Sequence, residues 1–151
     1  MSAFRTIHRF WASLMTLAVV VQIGFAGYGA FSAADKVEDS SIDSDTFEDG
    51  FGPHAALGTL IVLAGLVLLL LSLGTRTRSR ILPSLLVFGL LVAQLILGWT
   101  GAALPAVTGF LHPINALIIL AVLGSFTGRM WREDRGAAPA ATPAAPPPPA
   151  A

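Results

Sequence analysis

Two of the three histidines in this 151-residue chain stand beside prolines in apolar surroundings, as Pro53-His54-Ala-Ala-Leu-Gly58 and His112-Pro113-Ile-Asn115-Ala-Leu. A neutral imidazole presents a ring nitrogen that can ligate a metal. Two glutamines are equally isolated, each followed by glycines: Gln22-Ile-Gly24-Phe-Ala-Gly27-Tyr28-Gly29 and Gln94-Leu-Ile-Leu-Gly98-Trp99-Thr-Gly101. A glutamine amide can hydrogen-bond to a neighbouring helix or steady a ligand side chain. Glycine lets a backbone or a flat ring approach closely. Whether these residues can act together depends on the elements that carry them, and the distribution of charge reveals those elements.

Lys+Arg and Asp+Glu number 9 each, so the net charge is zero, and only 12% of residues are charged while 54% are hydrophobic. A soluble domain carries about twice that charged fraction. The balanced total offers no basic surface for nucleic acid. The absence of cysteine excludes disulfides, thiolate zinc sites, iron–sulfur clusters and thioether-attached haem.

Three stretches lack Asp, Glu, Lys and Arg: 10–34, 50–75 and 81–128. A membrane-spanning helix needs about 20 apolar residues. The first two stretches hold one span each. The third holds two, divided at Gly101-Ala-Ala-Leu-Pro105-Ala-Val-Thr-Gly109, where glycine and proline mark a turn. The expected organisation is a cytoplasmic N-terminus 1–9, spans at 10–31, 54–73, 82–102 and 112–128, an acidic outer loop 32–53, a basic inner loop 74–81, a short outer turn 103–111 and a disordered Ala/Pro-rich tail 129–151. The fold class is all-α, an up-down-up-down four-helix bundle in the membrane. An alternative for the first span, a secretory signal cleaved near Ser32-Ala33-Ala34, requires a much shorter apolar core of about 7–15 residues.

An even number of spans places Arg5, Arg9, Arg76, Arg78, Arg80, Arg129, Arg132 and Arg135 on one side with Glu133 and Asp134. Lys36 and seven acids (Asp35, Glu38, Asp39, Asp43, Asp45, Glu48 and Asp49) fall on the other. One face therefore carries +6 and the other −6. The positive-inside rule then places both termini in the cytoplasm, and the expected location is a bacterial inner membrane. Trp11 and Trp131 fall near the inner boundary and Trp99 near the outer one, as amphipathic rings prefer.

The matched Gln, Gly and His positions point to two duplicated helical hairpins in the same orientation, related by an axis along the membrane normal. His54 and His112 then open the second and fourth spans at one level. Those helices are diagonal neighbours in such a bundle. Two imidazoles facing across the central axis, with Gly24, Gly27 and Gly29 on one wall and Gly98 and Gly101 on the other, are the arrangement of a bis-histidine b-type haem site. Gln22, Gln94 and Asn115 would steady the ligands. The plainer readings stand beside this one. Each histidine can sit at the headgroup boundary, with His112 as a cap before Pro113, and the glycines and amides can serve helix packing. His8 has no second histidine at its level and reads as an interfacial residue. No nucleophile triad, phosphate loop or metalloprotease motif is present, and no acid or base inside a span marks an ion pathway. The acidic loop reads as a solvated segment.

At Gln94-Leu-Ile-Leu-Gly98-Trp99 followed by Leu111-His112, and at Pro53-His54, the chain resembles the four-helix half of the haem A synthase family over residues 4–130. It also resembles small four-span membrane proteins of actinobacteria. The family resemblance implies that His54 and His112 are the haem-ligand pair. Family members have eight spans, an Arg-containing motif after the first helix and, in many, an outer cysteine pair, all missing here. The resemblance therefore implies a haem-binding relative rather than a synthase, or half of a homodimer. The expected function is electron transfer or haem handling through one haem b, in contact with lipid and with a redox partner or larger membrane complex. The alternatives are a haem-free accessory subunit and a haem-modifying enzyme acting as a dimer.

Overall fold

The computed structural model describes residues 3–37, 44–101 and 103–136. They form four helices: α1 (Ala3–Val37), α2 (Ser44–Thr75), α3 (Arg78–Trp99) and α4 (Pro105–Gly136). Each is long and apolar enough to cross a bilayer. The helices pack as a ring, α1 on α2, α2 on α3, α3 on α4 and α4 on α1, while the diagonal pairs α1–α3 and α2–α4 meet only through side chains. Leu60, Leu63, Leu70, Leu85 and Leu117 are each more than half exposed on the outer surface. That surface would be unfavourable in water and is matched to hydrocarbon. The chain is a multi-pass membrane protein built as an all-α four-helix bundle.

The inward faces carry the duplication. In α1 the buried positions His8, Ala12, Met15 and Val19 lead to Gln22. In α3 Arg80, Ser84, Val87 and Leu91 lead to Gln94, each displaced by 72 residues from its counterpart. In α2 and α4 the buried pairs Ile61/Ile119, Leu68/Phe126 and Ser72/Met130 are all displaced by 58, the displacement that relates His54 to His112. Spacings of three, four and seven keep one side of each helix inward. The two hairpins thus bury the same register while the residue types have diverged.

The α1–α2 pair packs closely because α2 offers glycines where α1 brings bulk or backbone. A Cβ at Gly74 would collide with the Phe4 ring. One at Gly58 would lie 2.9 Å from Gln22 Nε2, and one at Gly50 would lie 3.2 Å from the Gly29 carbonyl. Removal of the side chain allows this approach where lipid offers no hydrophobic drive between helices.

The helices outrun their apolar spans. Asp35 and Lys36 continue α1, and Asp45, Glu48 and Asp49 open α2, so charged residues expected in a loop prolong the helices instead. Lys36 pairs with Asp49 at 3.6 Å on the surface. Helix α4 starts at Pro105 rather than near 112, because proline's missing N–H and fixed φ suit the first helical position. His112 is therefore two turns inside α4, not a cap, and His54 likewise lies well inside α2. Residues 129–136, expected in the disordered tail, continue α4, whereas Glu38, Asp39, Asp43 and residues 137–151 lie outside the described residues.

Candidate functional site

The polar side chains form two layers at opposite ends of the apolar core. The first lies toward the α1–α2 and α3–α4 connections. There the rings of His54 and His112, from diagonal helices, face one another with centroids 6.1 Å apart and planes inclined by 54°. Both residues are half-buried.

Each hairpin clamps its histidine from the preceding helix. The Gln22 amide donates to the His54 carbonyl at 2.7 Å, and the Gln94 amide donates to the His112 carbonyl at 3.0 Å. Those carbonyls lie within helices, and their second lone pair accepts the cross-helix bond. Gly58 leaves room for the Gln22 amide against α2. His54 returns the contact, with Nδ1 3.1 Å from the Gln22 carbonyl. A carbonyl only accepts, so Nδ1 carries the proton, and in the neutral ring Nε2 keeps its lone pair. This is the usual way in which a ligand imidazole is oriented by its second nitrogen.

The second hairpin is built differently around its glutamine. Asn115 donates to Gln94 Oε1 at 2.7 Å and to the Leu90 carbonyl at 3.0 Å. Leu57 occupies the corresponding place in α2, and Gln22 Oε1 is buried without a hydrogen bond. His112 Nδ1 is also buried, and its contact with the Gln94 backbone is a looser counterpart of the His54–Gln22 bond.

The glycines divide. Gly98 faces the His112 ring, where a Cβ would stand 3.6 Å from Cε1. Gly24, expected to wall the histidine layer, is instead exposed on the side of α1 away from Gln22, and neither it nor Gly27 has a neighbour within 4 Å of its Cβ position. Gly29 is a packing residue, its Cβ position 2.9 Å from the Gly50 carbonyl and 2.7 Å from the Phe51 ring. Gly101 lies in the turn after α3, with its Cβ position 3.2 Å from the Gly98 carbonyl and near the Thr108 methyl. Phe51, not singled out by the sequence, stands edge-on to His54 at 6.4 Å between centroids. Its position three residues before His54, one helical turn away, was the available signal.

The second layer corrects two expectations. Arg9, Arg80 and Asp134 are buried inside the bundle, at 8%, 3% and 8% exposure. The two carboxylate oxygens of Asp134 each accept from one guanidinium, Arg9 Nη1 and Arg80 Nη2, both at 3.0 Å. Arg80 also donates to the Arg5 carbonyl at 3.1 Å, and Arg9 lies over the Trp131 ring at 4.0 Å. His8, expected at an interface, is fully buried. The Ser84 hydroxyl donates to the Arg80 carbonyl at 2.8 Å, so Ser84 Oγ is the acceptor for His8 Nε2–H at 3.1 Å. The physical reason is register. Arg80 and His8 occupy equivalent positions on the inward faces of α3 and α1, and Asp134 lies one turn beyond Met130 on that of α4. Trp11 and Trp131 are tied into the bundle as well, donating to the Ala64 carbonyl and to Ser13 Oγ. Trp99 remains exposed at the other end.

One layer thus draws α2 and α4 together through His54 and His112. The other draws α1 and α3 together through His8–Ser84 and Arg80–Arg5. No group of three or more His, Asp or Glu side chains suited to a metal ion occurs among the described residues. No protein-family model, curated protein or solved structure matches the chain.

Proposed function

We propose that the protein binds one haem b between His54 and His112 and serves in electron transfer or haem handling. The observation that carries this reading is the opposition of the two rings at 6.1 Å across the bundle. A ligating imidazole nitrogen lies about 2 Å from its metal, so two rings on opposite sides of one iron have centroids roughly 6 Å apart. The Nδ1 bond from His54 to Gln22 leaves Nε2 as the ligating atom. Gly98, whose Cβ position lies 3.6 Å from the His112 ring, adds room beside that ligand. When bound, the haem would supply one-electron redox chemistry at its iron. The chain's residues orient both ligands and hold the four helices around them. The arginine-rich end faces the cytoplasm in this reading, which places the histidine layer near the outer face of a bacterial inner membrane.

The alternative is a haem-free accessory subunit, in which the same Gln22–His54 pair serves only to lock α1 onto α2. Reduced-minus-oxidised absorbance spectra of detergent-purified protein from haem-sufficient cells separate the two. A low-spin b-type spectrum lost in His54→Ala and in His112→Ala supports the haem reading. A haem-free preparation, or a spectrum retained by both variants, overturns it.

A further inference from the structure

We propose that the end at which α1 begins and α4 finishes is a binding surface for anionic phospholipid headgroups, formed by Arg76, Arg78, Arg129, Arg132 and Arg135. Eight arginines gather at that end, and the structure sorts them. Arg9 and Arg80 are buried and neutralise Asp134, and Arg5 is half-buried, its carbonyl accepting from Arg80. The remaining five are exposed, none in an ion pair among the described residues. The only exposed acid described at that end is Glu133. Asp134, the acid that could have balanced the surface, is turned into the bundle instead.

The placement fits a membrane-borne partner. Arg76 and Arg78 sit at the α2–α3 turn, and Arg129, Arg132 and Arg135 line the last two turns of α4, where membrane-spanning helices meet the headgroups. A guanidinium matches a phosphate's paired oxygens, and juxtamembrane arginines are drawn to anionic lipid. Arg76 supplies a second observation. It is the one described non-glycine residue with positive φ, at 53°. Glycine takes that conformation freely, whereas an arginine there is strained. An arginine therefore stands at a turn position whose backbone conformation glycine would take without strain. These residues lie at the end opposite His54 and His112, so their test is independent of haem.

The full chain in neutral detergent micelles, probed with phosphatidylglycerol and phosphatidylcholine by native mass spectrometry, tests the surface. Phosphatidylglycerol is expected to be retained selectively, with affinity falling roughly fivefold per arginine replaced by glutamine. Equal retention of phosphatidylcholine overturns the proposal. So does unchanged phosphatidylglycerol binding when all five arginines are glutamine. Displacement by an equal concentration of soluble glycerol phosphate would assign the site to a free anion and overturn it too. If the fivefold variant does not fold, Arg76→Gly keeps the test. It relieves the strained backbone, so it should raise the thermal midpoint while weakening phosphatidylglycerol binding, and unchanged binding overturns the proposal.

Discussion

The amide of Asn115 meets Oε1 of Gln94 at 2.7 Å, and no described residue does the same for Gln22. Two hairpins with a shared register have therefore completed their glutamine clamps differently. Asn115→Leu should orphan Gln94 Oε1 and lower stability by ~0.6–2 kcal/mol, the range for polar contacts between membrane helices. The reverse exchange, Leu57→Asn, gives Gln22 Oε1 a partner and should destabilise less than Leu57→Ala. Thermal unfolding in detergent checks both, and an asparagine at 57 that is worse than alanine would refute the equivalence of the two positions.

Gly98 sets the room beside His112. An alanine Cβ at 3.6 Å from Cε1 is ordinary van der Waals contact, so Gly98→Ala should leave the site intact. Gly98→Leu must displace the ring. In the haem reading it abolishes the low-spin spectrum while circular dichroism stays helical; a normal spectrum would show that His112 is not held at this place.

Gly29 and Gly24 belong to one sequence pattern but differ in consequence. Alanine at 29 would press on the Gly50 carbonyl, a backbone atom that cannot swing aside, and should cost about 1–3 kcal/mol by forcing α1 from α2. Alanine at 24 meets nothing and should change stability by less than about 0.5 kcal/mol. Paired melting curves decide between them.

Asp134 is the counter-ion for two buried guanidinium groups. Asp134→Ala leaves Arg9 and Arg80 uncompensated in a low-dielectric interior and should cost about 3–5 kcal/mol. Arg9→Gln should cost less, because Arg80 still neutralises the carboxylate. Denaturation midpoints that rank Arg9→Gln as the more damaging change would contradict this division of roles.

The four helices and their membrane character were legible because length and the absence of charge act locally. Twenty apolar residues need a span wherever they occur. The pairing of His54 with His112 was legible because an even count of charge-free spans puts the starts of the second and fourth helices at one end of the bundle. Helix ends were misplaced at the acidic segment and at Pro105, since hydropathy marks where lipid begins and backbone hydrogen bonding decides where a helix begins. The glycines could not be sorted for a related reason: Gly29 and Gly24 have similar neighbours in sequence, and only the approach of α2 distinguishes them.

From its sequence alone this protein was bound to be a four-helix membrane bundle with opposite charge at its two ends. Only the tertiary structure decided which charges are surface. Arg9, Arg80 and Asp134 are 125 and 54 residues apart in their two pairings, and no local pattern links them. Their burial depends on helix rotation, which is set by packing of all four inward faces together. The same rotation turned His8 onto Ser84, brought the Gln22 amide to His54, and left five arginines facing outward.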